Sequence, residues 1–143
     1  KHTTFKALLA GSVAGITLLG SVASWSAVSV IVHPSNANAF SATDISRIFL
    51  GKKKSFPDGS TAIPMDQSDG SAVRSAFVGT LLKKNEQQIK AYWAQLLFTG
   101  KGTPPKEGGD DAGIKKLISE NPSLIGYVDS SVVDGSVKVV HEF

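Results

Sequence analysis

The chain has 143 residues, of which 41% are hydrophobic and 19% charged, the size and balance of one globular domain. That composition excludes a collagen, a coiled coil and a wholly disordered chain. Cysteine is absent, which removes disulfides, thiolate metal sites and thiol nucleophiles, and the formal charge of +3 is too small to mark a nucleic-acid binder.

Residues 1–6 are polar and basic, 7–22 form an uncharged run of apolar and small residues, and Ala23, Ser24, Ser26 and Ala27 are small. Basic, then apolar, then small is the order of a secretory signal peptide. Signal peptidase needs small side chains at the first and third positions before its cut. Ser24 and Ser26 meet this for a cut before Ala27, and Val22 and Ser24 meet it for an earlier cut after Ser24. The sequence therefore predicts a removable leader over 1–26, in contact with the membrane only during export. It also predicts one soluble periplasmic domain over 27–143. The competing reading is an uncleaved anchor, but the run is near the lower spanning limit of about 17 residues and no strong stop-transfer charge follows it. Without Lys1 and Lys6 the domain keeps thirteen basic residues against twelve acidic ones. Its one basic cluster, Lys52-Lys53-Lys54, reads as a solvated loop.

Residues 28–32 are β-branched and predict a strand, ended by the turn residues His33-Pro34-Ser35-Asn36. Ser41 with Asp44 three residues on predicts a capped helix through Ile45, Ile48, Phe49 and Leu50, stopped by Gly51. A polar loop leads to a second strand over 62–66, whose Pro64 predicts an edge or an end. After the turn 67–71 comes a helix bearing Val73, Phe77, Val78 and Leu81. Asn85 caps a further helix with the stripe Ile89, Trp93, Leu96 and Leu97. Residues 100–109, rich in Gly, Pro and Lys, predict an irregular stretch. Asp110 or Asp111 caps a helix over 112–119 that Asn121-Pro122 ends. Residues 125–128 predict a third strand. Val132-Val133, Asp134-Gly135 and 137–140 predict a hairpin on a two-residue turn. Alternating strands and helices define an α/β protein: an open mixed sheet in three layers, with helices on both faces.

Enzymatic readings fail one by one. There is no phosphate loop of the Walker type, no G-x-S-x-G elbow and no H-E-x-x-H. His2, His33 and His141 are scattered, and no cluster could hold a metal, so neither a catalytic centre nor a cofactor is expected. One place differs. Ser68-Asp69-Gly70-Ser71 joins a strand end to a helix start, where the first backbone N–H groups lack helical partners and the dipole is positive. Gly70 permits close approach, and the hydroxyls of Ser68 and Ser71 can add donors. This makes a corner for a phosphate-like oxyanion beyond the carboxyl end of a strand. An ordinary helix cap uses the same residue types. Asp69 repels an anion unless the ligand keeps a proton to donate, as hydrogen phosphate does and sulfate does not.

At these residues the sequence resembles the phosphate-type, PstS-like substrate-binding proteins of bacterial ABC importers. The series 44–52 (Asp-Ile-Ser-Arg-Ile-Phe-Leu-Gly-Lys) is similar to the family's "L-x-x-I-F-x-G-K". The turn Phe56-Pro57-Asp58-Gly59 follows. Then 67–73 (Gln-Ser-Asp-Gly-Ser-Ala-Val) aligns with "R-x-D-G-S-G-T", and Gly113-Ile114 with 125–128 matches "G-I…A-I-G-Y-V". The resemblance covers the domain 27–143 and implies ligand-loop positions at Gln67, Ser68, Asp69, Gly70, Ser71 and Ala72. It departs from the family in two places. Gln67 stands where the family has a charged arginine, and Ala72-Val73 replaces Gly-Thr. Arg74, one turn into the helix, could substitute for the lost charge.

The likeness is to the second, inserted lobe of a two-lobed family. Two functions follow: a periplasmic phosphate- or oxyanion-binding component related to ABC import, or an envelope protein-interaction module that kept the lobe and lost the ligand. In either, the face around Gly70 calls for cover from a second copy, or from an envelope or transporter partner. No nucleic acid is expected as a partner.

Overall fold

The structure is a computed structural model, and it describes residues 27–143. The leader expected over 1–26 lies outside the described residues. Ten short elements follow one another: β1 (Val28–Val32), α1 (Ala42–Phe49), β2 (Ile63–Asp66), α2 (Ala72–Thr80), α3 (Glu86–Phe98), β3 (Lys106–Glu107), α4 (Asp111–Glu120), β4 (Leu124–Asp129), a 3-10 turn (Ser130–Val132) and β5 (Lys138–Glu142).

The strands form one mixed sheet in the order β3-β2-β4-β1-β5. β2 runs parallel to β3 and β4, whereas β1 is antiparallel to β4 and β5. Period-two alternation assigns each strand's side chains to a layer. Val30 and Val32 of β1, with Ile125 and Tyr127 of β4, pack under α1, α2 and α3 through Ile45, Ile48, Phe49, Phe77, Ile89 and Trp93. Ile31, Leu124 and Val128 point the other way, against Ile114 and Ile118 of α4. The three-layer α/β arrangement is thus present, with three helices on one face and one on the other. α4 lies close because Gly126 carries no side chain: a Cβ there would sit 2.8 Å from Ile114 Cγ2.

Local signals account for the helix starts. Ser41 and Asp44 form a reciprocal capping box, and Asn85 and Gln88 form another. Asp110 caps α4 through Gly113 N. Pro64 pairs with β4 but precedes the residues that pair with β3, so its missing N–H leaves no ladder bond unmade on that side.

Three expectations are corrected. Residues 100–109 contain the edge strand β3, only two residues long and held by Met65 and Asp66, too short for any periodicity to register. The hairpin on Asp134-Gly135 does not form: Val132 ends the 3-10 turn, Val133 lies in loop, and β5 pairs with β1 instead. Val132, Val133 and Val137 pack with the α4 layer, and that burial outweighs local hairpin pairing. Leu97 leaves the predicted stripe and is 52% exposed, beside Phe98 at 93%.

β5 meets β1 with an extra residue, Val140, between Val139 opposite Ile31 and His141 opposite Val30. Such a bulge makes this outer strand a poor template for further pairing.

Candidate oxyanion corner

Asp66 ends β2, and the chain turns through Gln67–Gly70 into α2. Gly70 sits at φ +87°, a left-handed conformation in which a side chain is strained. Ser68 N donates to Gly109 O (3.0 Å) and Ser71 N to Ser68 O (3.2 Å), which fixes the turn. Ser71 is the N-cap of α2, its hydroxyl accepting from Arg74 N at 3.2 Å. Among the described residues, the amides of Gly70, Ala72 and Val73 meet no protein acceptor and point where α2 begins.

The side chains behave differently from the backbone. Gln67 is 2% exposed. Its Nε2 donates to Asp111 Oδ1 (2.6 Å) and to Tyr127 O (3.1 Å), and its Oε1 accepts from the Ser71 hydroxyl (2.6 Å). The amide that stands where the resemblance has an arginine is therefore turned into the fold. Arg74 is held as firmly. Its Nη1 donates to Gln67 O (3.0 Å) and Glu107 Oε1 (3.2 Å). Nη2 lies 3.7 Å from Asp66 Oδ2, and Nε lies 3.8 Å from Glu86 Oε1. Arg74 Nε and both Glu86 carboxylate oxygens are buried without a protein hydrogen bond among the described residues. Glu86 is thus paired through charge alone. Ser68 and Asp69 are exposed, and Asp69 meets Lys90 at 3.4 Å.

Around one guanidinium there are thus three carboxylates, with Asp69 close enough to add to the field. Burial lowers the Arg74 pKa, but Asp66 and Glu86 outweigh it and the net shift is upward. Burial also raises Asp66, opposed by the hydrogen bond from the Tyr127 hydroxyl and by Arg74. Tyr127 is itself pushed well above its ordinary value, first by burial and then by Asp66. The corner combines unpaired backbone donors with an acidic side-chain lining.

The turn gathers Gln67, Ser68, Asp69, Gly70, Ser71 and Ala72 in sequence order, with Arg74 beneath them. Sequence reasoning missed Asp66, Glu86, Glu107, Asp111 and Tyr127. In the sequence Asp111 reads only as a helix cap and Asp66 and Tyr127 only as strand residues; their contacts at the corner, like those of Glu86 and Glu107, join elements distant in the chain. Among the described residues no group of three or more acidic, His or Cys side chains could hold a metal, and no helix is long and apolar enough to cross a membrane.

The fold is that of one lobe of a periplasmic substrate-binding protein. Within that class the similar solved structures are phosphate receptors, so the fold is PstS-like. One is a Clostridium perfringens protein assigned as a phosphate ABC transporter substrate-binding protein and solved with bound phosphate. It has a TM-score of 0.63 and 24% identity over 79% of this chain and 43% of that one. An ABC-type phosphate transport receptor from Vibrio cholerae gives 0.63 and 14% over 80% and 45%. PstS from Borrelia burgdorferi gives 0.60 and 13% over 80% and 46%. The chain spans less than half the length of each. No family model matches the sequence, and no curated protein is similar enough to match.

Proposed function

We propose that this chain is a non-enzymatic, phosphate-type lobe of an exported ABC-import binding component, and that the Gly70 corner is its oxyanion site. The observation that carries the reading is the set of amides at Gly70, Ala72 and Val73. They open α2 directly beyond the carboxyl end of β2, where open α/β sheets bind ligands. The Ser68 hydroxyl is exposed beside them. The acidic lining selects a ligand that can donate a proton as well as accept hydrogen bonds, which favours hydrogen phosphate over sulfate. It also makes binding weak, because Gln67 is turned into the fold and three carboxylates already surround the Arg74 guanidinium. Calorimetric titration of phosphate and then sulfate, with amide shifts followed by NMR, tests the site. Phosphate binding that moves Gly70–Val73, with sulfate silent, is the expected result; phosphate that moves nothing there defeats the reading.

A second reading is an envelope interaction module without a ligand. It is favoured by the inward commitment of Gln67 and Arg74. In both readings the mature domain begins near Ala27 and acts in the periplasm, and a second copy or a transport partner covers the Gly70 face. Intact mass of periplasmic protein tests the first point. Light scattering with and without phosphate tests self-association.

A further inference from the structure

A second cleft lies at the other end of β2. It has a volume of about 350 Å³ and opens between the end of α1, the start of β2 and the loop that follows α3. Its walls include Ile63, Pro64, Trp93 and Pro105, and its charged lining is Lys53, Lys54 and Lys106. The size falls within the range of about 300–1,000 Å³ typical of small-molecule sites. Trp93 is buried to 7% exposure. It lies against Gly51, where an added Cβ would be 3.2 Å from the indole. The indole wall is therefore set by packing and does not depend on a ligand.

Charge separates this cleft from the Gly70 corner. No carboxylate lines it, and among the described residues none of its three lysines forms an ion pair. Asp44 feels Lys53 only weakly, behind its capping bonds with Ser41. On the far side of Trp93, Pro104 and Pro105 a neighbouring cleft is lined instead by Asp66 and Glu107 with Arg74 and Lys90. An anion is thus drawn to the cleft whose lysines stand without carboxylates rather than to the one where the charges balance, while the apolar walls reward a hydrophobic body. Lys53 and Lys54 come from the basic run that the sequence alone assigns to a solvated loop.

We infer that this cleft binds an organic anion of amphiphilic type: one carboxylate, sulfonate or phosphate-ester group on a flat or short apolar body. Inorganic phosphate lacks the body that the walls require, so this site is independent of the Gly70 corner.

The test is NMR titration with naphthalenesulfonate, and with naphthol and naphthylmethylammonium as its neutral and cationic counterparts. The sulfonate is expected to move the Trp93 indole and the amides of Ile63 and Thr103 saturably, and to leave Gly70–Val73 unmoved. Naphthol and the ammonium compound should bind about tenfold more weakly or worse, and the double variant Lys54→Gln, Lys106→Gln should lose a similar factor for the sulfonate alone. Both lysines are exposed, so the fold should survive, which an unchanged melting curve verifies. Equal binding of sulfonate and naphthol, an unaffected double variant, shifts centred on the Gly70 loop, or no shift at about 5 mM ligand would each overturn the assignment.

Discussion

The Ser71 hydroxyl donates to Gln67 Oε1 at 2.6 Å while accepting from Arg74 N at 3.2 Å, so one oxygen closes the turn and starts α2. Its proton is already committed within the protein. Ser71→Ala removes the cap and leaves Gln67 Oε1 without this donor. The expected loss is about 1–2 kcal/mol of unfolding free energy, read from urea denaturation. If the ligand is held by backbone amides, phosphate affinity should fall only as far as the turn loosens. A stability equal to that of the unsubstituted protein would mean that the cap contributes nothing.

Among the described residues Arg74 is the cation that pairs with Asp66, Glu86 and Glu107. Arg74→Gln leaves those carboxylates facing one another without it. Breaking a partly buried pair on one side costs about 3 kcal/mol or more. Thermal unfolding should show the loss, and high salt should recover part of it, since the exposed Glu107 is screened and the buried groups less so.

Gly126 faces α4 at a distance that leaves no room for a methyl group. Gly126→Ala forces Ile114 and Ile118 outward, and overpacking of this kind costs about 1–3 kcal/mol. A lower melting temperature with retained secondary structure is expected, and an unchanged one would show that α4 moves freely on the sheet.

Much of the fold was legible because its signals are local. Ser41 with Asp44, Asn85 with Gln88 and the β-branched run of β1 each announce an element within a few residues. β3 and the placement of β5 were not legible, because both depend on partners far along the chain: Met65 and Asp66 for one, β1 for the other. The corner divides in the same way. Its backbone turn can be read from Ser68-Asp69-Gly70-Ser71. The burial of Gln67 against Tyr127 and Asp111, and the carboxylates around Arg74, require the tertiary arrangement.

Asp66 sets a pH dependence. Its folded pKa is raised, above all by burial, so between the unfolded and folded values the folded state holds a proton that the unfolded state has released. Its contribution is therefore fully present below the ordinary aspartate value of 3.8. It is lost as pH rises through the higher folded value. Asp66→Asn should remove this component. The stability difference, variant minus unsubstituted protein, should grow as pH rises through that window. A difference independent of pH from mildly acidic to neutral conditions would show that Arg74 and Tyr127 fully offset the burial.

Gln67→Arg asks whether the corner is an oxyanion site with its charge removed. Gln67 is buried and bonded to Asp111, Tyr127 and Ser71. A longer guanidinium cannot keep all three contacts, and overpacking should cost about 1–3 kcal/mol. Asp111, which already meets the side chain at this position, can take at most two of the guanidinium's five N–H donors, which leaves others for the base of the Gly70 turn. A guanidinium there supplies the charge-assisted donor that the amides of Gly70, Ala72 and Val73 lack. Phosphate affinity should rise by about tenfold or more, since hydrogen bonds to charged groups contribute roughly 1.5–3 kcal/mol. Calorimetry measures the gain, and a melting curve checks that the variant is folded. Because the new contact is charged, the gain should shrink as salt is added. A folded variant whose phosphate affinity is unchanged would separate the resemblance in fold from any oxyanion role for this turn.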